Sequence, residues 1–356
     1  MSGLPPPGPG PSSPPTTVAR LIPGAVSPAR LAALRTGAVI ARADAAVVTL
    51  TGPGAVTAAQ GLLTNDVEKP GDGAFVYGAL LTPKGMIVAD AWVARLGAMM
   101  SFTVTAQGRE RALAIFTRSV PPRLARLADR TAELAVYRLA GPNALAVAEA
   151  AGLPVPSAPG RVVAAPGGTS EIARATEGAP FTLQLTLPMA ETEVQIARLT
   201  AAGAMPVDAA TLELARILAG WPRLGAEVDD KTIPQEVRYD ELGGVSYTKG
   251  CYTGQETVSR LHFRGHTNRY LRGLLFDAEA PATPADGWSS VTHLDRDVGR
   301  VTSLAWVPES GVAGGGRWIG LALIRREVGS GVMVRAAGRD ARVVDLPFAT
   351  PFVGPA

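Results

Sequence analysis

The octapeptide KGCYTGQE, residues 249–256, contains the one cysteine in this chain of 356 residues. A lone thiol cannot form a disulfide within the chain. Cys251 is therefore either a small buried hydrophobic residue or a group that reacts with something outside the chain. Thiolates are favoured beside a lysine and at a helix N-terminus. Lys249 lies two residues earlier, and a helix is predicted from about Thr253. The residues alone leave both interpretations open.

The neighbours of Cys251 suggest how a reactive thiol would be presented. Gly250 and Gly254 allow positive φ and let the backbone come close to a partner. Gln255 and Glu256 add an amide and a carboxylate that could hydrogen-bond a heterocycle or orient the loop. The stretch is therefore typical of a polar loop that leads into a helix.

Other catalytic or metal-binding patterns are weak. His262 and His266 stand four residues apart downstream of Cys251, so a zinc site can be drawn. Gly265 interrupts the helix that such a pair requires, and no fourth ligand is evident. The sequence also lacks the G-x-S-x-G motif and the phosphate-binding P-loop. We therefore predict no metal site.

Short β-type runs alternate with amphipathic helices through most of the chain, which indicates an α+β fold. Strands are predicted over 46–50, 74–81, 86–94 and 99–106, and helices over 108–117, 189–203 and 208–220. From Tyr270 onward only strands are predicted, separated by Gly, Pro and Asp turns. They cover 270–276, 299–306, 318–324, 332–338 and 341–346. Short strands at this spacing favour a small antiparallel barrel.

Two stretches resemble each other, LTGPGAVTAAQGLL (50–63) and LAGPNALAVAEAAGL (139–153). Each reads as a strand, a glycine turn, a proline at the first helical position and an apolar helix. The similarity predicts two related α+β halves.

Composition limits the class of protein. Apolar residues make up 47% of the chain, and the net charge is only +3. No dense basic run with aromatic residues suggests nucleic-acid binding, and no apolar window reaches the ~18 residues of a membrane span. A single cysteine fits a reducing compartment, so we expect a cytoplasmic protein. Residues 1–29 are rich in Pro, Gly and Ser and are predicted to be disordered.

The octapeptide, followed by Arg260, resembles the signature of the YgfZ group of folate-binding proteins, which are relatives of the glycine cleavage T-protein, an aminomethyltransferase. Further stretches of the chain match this family in the expected order. They are LLTNDV (62–67), LLTPKGMIVAD (80–90), RILAGWPRLGAE (216–227), TIPQE (232–236), GRVTSLAW (299–306) and LPF (346–348).

The resemblance implies a ring-like α+β fold for the chain that follows residues 1–29. Two duplicated, intertwined ferredoxin-like folate-binding units are expected over residues 30–266, and a C-terminal antiparallel β-barrel over 267–356. It also implies that tetrahydrofolate binds in a central cavity and that the protein supports assembly or repair of iron–sulphur client proteins.

The resemblance assigns roles to particular residues. Cys251 and Lys249 are the expected reactive pair. The rest of the expected functional segment is Gly250, Tyr252, Gly254, Gln255, Glu256 and Arg260. The residues expected to bind the folate are Asn65, Asp66, Asp90 and Arg216.

Two departures from the T-protein pattern keep alternatives open. Its Asp-Asp pair is Ala89 and Asp90 here, and its R-x-E-A-G stretch reads RILAG, with Leu218 in place of the glutamate. Both changes remove carboxylates, which weakens the case for aminomethyl transfer more than the case for folate binding. The alternatives are a folate-dependent one-carbon transferase with Asp90 as its acid, and a thiol enzyme that uses no folate.

Overall fold

The structure is a computed structural model that describes residues 18–277, 289–309 and 314–348. The described residues form three sheets with helices packed against two of them, so the fold is α+β. Within these ranges, no helix is long and apolar enough to cross a membrane.

The helices and strands follow one another along the chain with short connections. The first part contains β1 (Ala19–Leu21), α1 (Pro28–Thr36), β2 (Val39–Arg42), β3 (Ala45–Thr51), α2 (Ala55–Leu62), β4 (Phe75–Leu81), β5 (Ile87–Leu96), β6 (Met99–Thr105), α3 (Arg109–Ser119) and β7 (Arg126–Asp129). The middle contains β8 (Leu134–Ala140), α4 (Ala144–Ala150), β9 (Arg161–Ala164), β10 (Glu171–Arg174), β11 (Leu183–Pro188), α5 (Thr192–Ala201), β12 (Met205–Pro206), α6 (Ala209–Leu218) and α7 (Gln255–Arg264). The last part contains β13 (Arg269–Phe276), β14 (Ser289–His293), β15 (Arg296–Pro308), β16 (Gly316–Arg325), β17 (Met333–Ala336) and β18 (Arg339–Val344).

The first α+β unit is built on a five-stranded sheet with the order β4-β5-β6-β3-β7. Its strands contain many Val and Thr residues, whose branched side chains suit a pleated surface. Helices α2 and α3 share one core cluster with this sheet. The strand–helix–two-strand–helix–strand path through β3, β5, β6 and β7 gives the ferredoxin-like order that the family resemblance implied.

The second unit repeats this path in a six-stranded sheet with the order β12-β2-β8-β11-β10-β9. Strand β2 precedes the whole first unit in the chain, yet it pairs antiparallel with β8 and parallel with β12. The two units are therefore intertwined, as predicted.

The repeated turns have the same backbone conformation. Gly52 and Gly141 both have positive φ, at 124° and 112°. A Cβ at Gly141 would lie only 2.5 Å from the carbonyl oxygen of Gly37, so a side chain would clash there. One detail was predicted wrongly, because Pro53 and Pro142 each lie just before the N-cap and not at the first helical position.

The last six strands close into an antiparallel barrel. The order runs β15-β14-β17-β18-β13-β16, and β16 pairs again with β15. The barrel has its own apolar core. A further core cluster contains residues of both α+β units and of the barrel, so the three parts pack around one centre. The predicted barrel and ring-like arrangement are confirmed.

The prediction of disorder for residues 1–29 is wrong for its last part. Strand β1 pairs in parallel with residues 303–305 of β15, and helix α1 begins at Pro28 with Ser27 as its N-cap. The reason is that β14 reaches only as far as residue 301 of the long strand β15, which leaves an edge for β1 to pair with. Residues 1–17 lie outside the described residues. The domain boundaries at 30 and 266 stay predictions.

A buried ion pair joins α6 to the barrel. The guanidinium of Arg216 donates to Glu227 Oε2 at 2.8 Å and to Ser303 Oγ at 2.9 Å. Glu227 is completely buried, and its other oxygen accepts hydrogen bonds from Thr302 and Ser303 at 2.9 and 2.6 Å. Both charges are therefore fully hydrogen-bonded, as buried charges must be to be tolerated.

Replacing Glu227 with Ala should lower the free energy of unfolding by about 1–3 kcal/mol, because Arg216, Thr302 and Ser303 would lose a buried hydrogen-bond acceptor, while Glu213 still neutralises the guanidinium. Chemical denaturation of the full chain measures this loss. Glu327→Ala is the control, since Glu327 is 65% exposed in a surface pair with Arg325 and should cost less than about 1 kcal/mol. Equal losses for the two variants would contradict the structural importance of the buried pair.

Candidate functional site

A cavity of about 540 Å³ lies where β5 and β6 of the first unit face β2 and β8 of the second. Helix α6, the segment after it and strand β1 complete the wall. The volume is in the range of sites that enclose a small organic ligand.

Aromatic side chains form much of the buried wall. Trp92 and Trp221 are stacked with their ring centroids 5.5 Å apart, and Phe181 meets Trp92 edge-on at 5.0 Å. All three are nearly inaccessible to solvent. Such faces suit a flat aromatic ligand, because stacked and edge-on contacts add to simple apolar burial.

Several buried polar atoms of the cavity wall have no hydrogen-bond partner among the described residues, including Arg223 Nε and Trp221 Nε1. Asp90 Oδ1 and Arg138 Nε are buried, and neither has a hydrogen-bond partner among the described residues. The guanidinium of Arg138 lies 4.4 Å from the centroid of the Phe181 ring. Because most buried polar atoms in folded proteins are paired, this arrangement points to a ligand or water as the missing partner.

Burial changes the ionisation of both groups. It raises the pKa of Asp90, although the positive charges of Arg138, Arg223 and Arg216 oppose this. Burial also lowers the pKa of Arg138 to about 10, so Arg138 stays charged at neutral pH. Asp90 therefore takes up a proton at a higher pH than an exposed aspartate, which suits proton exchange with a ligand.

The mouth of the cavity is polar. Arg42, Asp44 and Gln107 line it and are exposed, and the side chain of Arg223 is 40% exposed. A ligand with an aromatic end and an anionic end would thus find matching surroundings at the wall and at the mouth.

Arg216 lines the same cavity, but its N–H groups are all engaged. They donate to both carboxylate oxygens of Glu213, to Glu227, to Ser303 and to the carbonyl oxygen of Trp221. Arg216 therefore shapes the wall and has no N–H group left for a ligand. Its expected role in binding folate would have to come from its charge.

Asn65 and Asp66, also expected to bind folate, are not among the described residues that line the cavity. Asn65 Nδ2 donates to the carbonyl oxygens of Tyr77 and Gly243 at 2.8 and 2.7 Å. Asp66 Oδ1 accepts from Gln60 Nε2 at 3.0 Å and from the next backbone amides of its own turn. The structure thus brings Asp90 and Arg216 to the cavity and leaves the other two outside it.

Residues 249–254, called the cysteine loop below, are held in place by Lys249. Its buried Nζ donates to the carbonyl oxygens of Gln60 at 2.7 Å, Leu63 at 2.7 Å and Asn65 at 2.8 Å. These carbonyls lie at the C-terminal end of α2, where helices leave acceptors unpaired and favour a cation. Burial lowers the pKa of Lys249 to about 8, so the ammonium is still charged at neutral pH.

The geometry of Lys249 differs from the one expected for activating a thiolate. The three N–H groups of its ammonium are taken by carbonyl oxygens, so none remains to hydrogen-bond Cys251. Lys249 instead connects the cysteine loop to the segment after α2. A catalytic role for Lys249 stays a prediction without a supporting contact.

The other end of the cysteine loop, at Gly254, is packed closely against neighbouring backbone. Gly254 has φ of 82°, and a Cβ there would lie 2.5 Å from the carbonyl oxygen of Thr82. The amide of Thr253 donates to the carbonyl oxygen of Gly61 at 3.0 Å. A Cβ at Gly250, by contrast, would meet no atom within 4 Å. The loop is therefore packed at one end and open near Cys251.

Cys251 itself is exposed and free, so the interpretation as a buried hydrophobic residue is wrong. The next residue, Tyr252, is buried, with its ring 5.1 Å from Lys249 Nζ. The remaining predicted residues lie on α7, where Gln255 is half-buried and Glu256 and Arg260 are exposed.

The cysteine loop and the cavity are separate places. No residue from 249 to 260 is among the described residues that line the cavity. Tyr77 lies between them. Its carbonyl oxygen accepts from Asn65 beside the loop, and its ring contacts Trp92 at 5.2 Å and Trp221 at 4.8 Å in the cavity wall. The thiol of Cys251 therefore does not line the cavity.

Several cavity residues were missed in the sequence, chiefly Arg138, Phe181, Glu213 and Arg223. A charged residue inside the apolar strand LAVYRLA was the one available signal for Arg138. Among the described residues, no group of three or more His, Cys, Asp or Glu side chains is placed to hold a metal ion.

Comparison with known proteins shows similarity to aminomethyltransferases in sequence and in fold. The family model described as the GCVT N-terminal domain matches residues 31–153. An aminomethyltransferase of Rubrobacter xylanophilus is 31% identical over 309 residues, which cover 85% of this chain and 80% of that protein. The crystal structure of glycine cleavage system aminomethyltransferase T from Bartonella henselae matches with a TM-score of 0.76 over 90% of this chain and 89% of that one, at 18% identity.

Shorter segments of the chain are similar to proteins named YgfZ. The tRNA-modifying protein YgfZ of Vibrio vulnificus is 36% identical over 114 residues, which cover 28% of this chain and 35% of that protein. YgfZ of Escherichia coli is 49% identical over 55 residues, or 15% of this chain and 17% of that protein. These matches span about a third or less of those relatives.

Lys249→Met should lower the free energy of unfolding by about 1–3 kcal/mol, because carbonyl groups at the end of α2 would lose their buried donor. Hydrogen exchange in the segment after α2 should also become faster. Lys84→Met is the control, since Lys84 is exposed on the turn after β4. If the two variants unfold alike, Lys249 does not hold the cysteine loop in place.

Proposed function

This chain belongs to the aminomethyltransferase family, and from that premise we propose that it binds tetrahydrofolate in the cavity and supports assembly or repair of iron–sulphur proteins through Cys251. The observation that carries the folate proposal is the pair of unpartnered charged groups, Asp90 and Arg138, among stacked aromatic walls.

The cavity residues fit the chemistry of a reduced folate. Trp92, Trp221 and Phe181 supply apolar surface for a pterin ring. Asp90 Oδ1 offers an acceptor for the N–H groups of the ring. Arg42 and Arg223 at the mouth offer positive charge for the carboxylates of the glutamate tail. When bound, tetrahydrofolate supplies a nitrogen that carries one-carbon groups.

Residues of the chain itself would bind the ring, exclude water and support the cavity wall. Asp90 binds the ring and, because burial raises its pKa, can hold a proton near a ring nitrogen. The aromatic walls exclude water from that end of the cavity. Arg216 and Glu227 keep the wall rigid through their buried ion pair.

Cys251 is suited to act on a partner protein. Its thiol is exposed at the open part of a loop that Lys249 and Gly254 hold in place. One cysteine cannot supply the ~four ligands of a typical iron–sulphur cluster. The thiol would therefore act together with ligands of the client protein. The octapeptide's resemblance to the YgfZ signature and the segmental similarity to YgfZ proteins support this assignment.

A second candidate is a folate-dependent aminomethyl or one-carbon transferase. The similarity to the Rubrobacter aminomethyltransferase over most of both chains favours it. Asp90 would be its acid, since its raised pKa allows proton transfer closer to neutral pH. The buried Leu218, at the position where the T-protein pattern has a glutamate, argues against it because a carboxylate is missing.

Folate binding should depend on ionised Asp90. Calorimetric titration with tetrahydrofolate should show affinity falling as the pH is lowered, starting at a higher pH than for an exposed aspartate, because protonated Asp90 loses acceptor capacity. Asp90→Asn should weaken binding about tenfold or more and flatten this pH dependence. Asp44→Asn at the exposed mouth is the control. Wild-type protein that binds no tetrahydrofolate would end the folate proposal.

Cys251→Ala should leave tetrahydrofolate affinity within about twofold of wild type, since the thiol lies outside the cavity wall. It should abolish support of iron–sulphur enzymes in cells that lack the wild-type protein. Ser259→Ala, on the following helix, is the control. Full client activity with Cys251→Ala would remove the thiol from the function. Formation of methylene-tetrahydrofolate from an aminomethyl donor, lost in Asp90→Asn, would favour the transferase instead.

A further inference from the structure

Arg138 differs from the other arginines of the cavity in what it leaves available to a ligand. Its side chain has no hydrogen bond or ion pair with a described residue, and its contact is with the face of Phe181. Arg216 has an acceptor for every N–H group. Arg223 also has an Nε without a partner, but its side chain is 40% exposed and its guanidinium lies 3.4 Å from a carboxylate oxygen of Glu213. Arg138 thus offers the cavity hydrogen-bond donors that the protein itself does not use.

Asp90 and Arg138 present opposite hydrogen-bonding capacities. A guanidinium only donates hydrogen bonds, and an ionised carboxylate only accepts them. The two side chains line the same cavity from β5 and β8, and each charge acts on the other. A ring that hydrogen-bonds to both side chains must carry N–H donors for Asp90. At a neighbouring ring position it must carry an oxygen that accepts from Arg138.

We propose that Arg138 is a specificity-determining residue that makes the cavity select the 2-amino-4-oxo ring of folate over the 2,4-diamino ring of 4-amino folate analogues. This inference rests on the proposed folate site. In the favoured ring, the 4-oxo group accepts from Arg138 while the 2-amino group and the neighbouring N–H donate to Asp90. In the analogue, a 4-amino group turns its N–H donors toward the donors of Arg138.

The expected discrimination comes from the burial of these groups. Asp90 Oδ1 and Arg138 Nε are shielded from solvent, so a mismatched ligand would leave a charged donor without an acceptor. Sites that hydrogen-bond a substrate group reject analogues that cannot make the bond far more strongly than apolar pockets reject a change in size. The apolar wall of Trp92 and Phe181 does not discriminate between the two ligands, because the rings differ only in hydrogen-bonding groups.

The test compares tetrahydrofolate with tetrahydroaminopterin, which carries an amino group in place of the 4-oxo group. Both are kept reduced under nitrogen and titrated calorimetrically into the full chain. The wild type should bind tetrahydrofolate at least about tenfold more tightly. Arg138→Met should bring the ratio of the two dissociation constants close to one. Arg138→Lys, which keeps the charge without the planar fork, should give an intermediate ratio.

Arg42→Met is the matched control, because Arg42 lines the exposed mouth and should change both affinities by the same factor. Equal affinity of the wild type for the two ligands would overturn the inference, and this measurement does not depend on any variant folding. A ratio that is unchanged in Arg138→Met, in protein with wild-type melting behaviour, would overturn it as well. A wild type that binds neither ligand would instead refute the folate site on which the inference rests.

Discussion

The buried pair of Arg216 and Glu227 is the constraint on which the arrangement of the molecule depends. Removing two charges from water is costly unless every polar atom is paired. Here the partners come from α6, from the segment after it and from barrel strand β15, where Thr302 and Ser303 donate to Glu227. The pair therefore specifies how the barrel meets the α+β region. The same helix forms one wall of the cavity, so this network also determines the shape of the site.

The groups capable of chemistry lie in two places that share a support. Asp90 and Arg138 face the cavity, whereas Cys251 lies on an exposed loop anchored to the end of α2. Tyr77 contacts the cavity wall and also Asn65, whose carbonyl oxygen accepts a hydrogen bond from Lys249 of the cysteine loop. Its ring packs on the tryptophans of the cavity wall, and its hydroxyl donates to Tyr239 at 3.0 Å.

Membership of the aminomethyltransferase family sets the general plan, and particular residues set this chain apart. Leu218 is buried apolar packing at the position of a carboxylate in the T-protein pattern. Arg138 contributes a cation to the cavity, whereas Leu218 is not among the described residues that line it. An exposed cysteine in a rigid loop is a second chemical group outside the cavity.

The features that could be predicted from the sequence are those that depend on residues close together in the chain. Alternating apolar patterns located β3 to β6 and most barrel strands to within one to three residues, and the repeated glycine turns revealed the duplication. Short strands such as β9 and β10 carried too little pattern to be recognised. Which side chains come into contact depends on the tertiary structure. Lys249 finds its acceptors 184 to 189 residues away, and Asn65 is turned away from the cavity that Arg138 enters. Hydrogen-bond partners and burial arise from contacts between distant segments, and no local pattern records them.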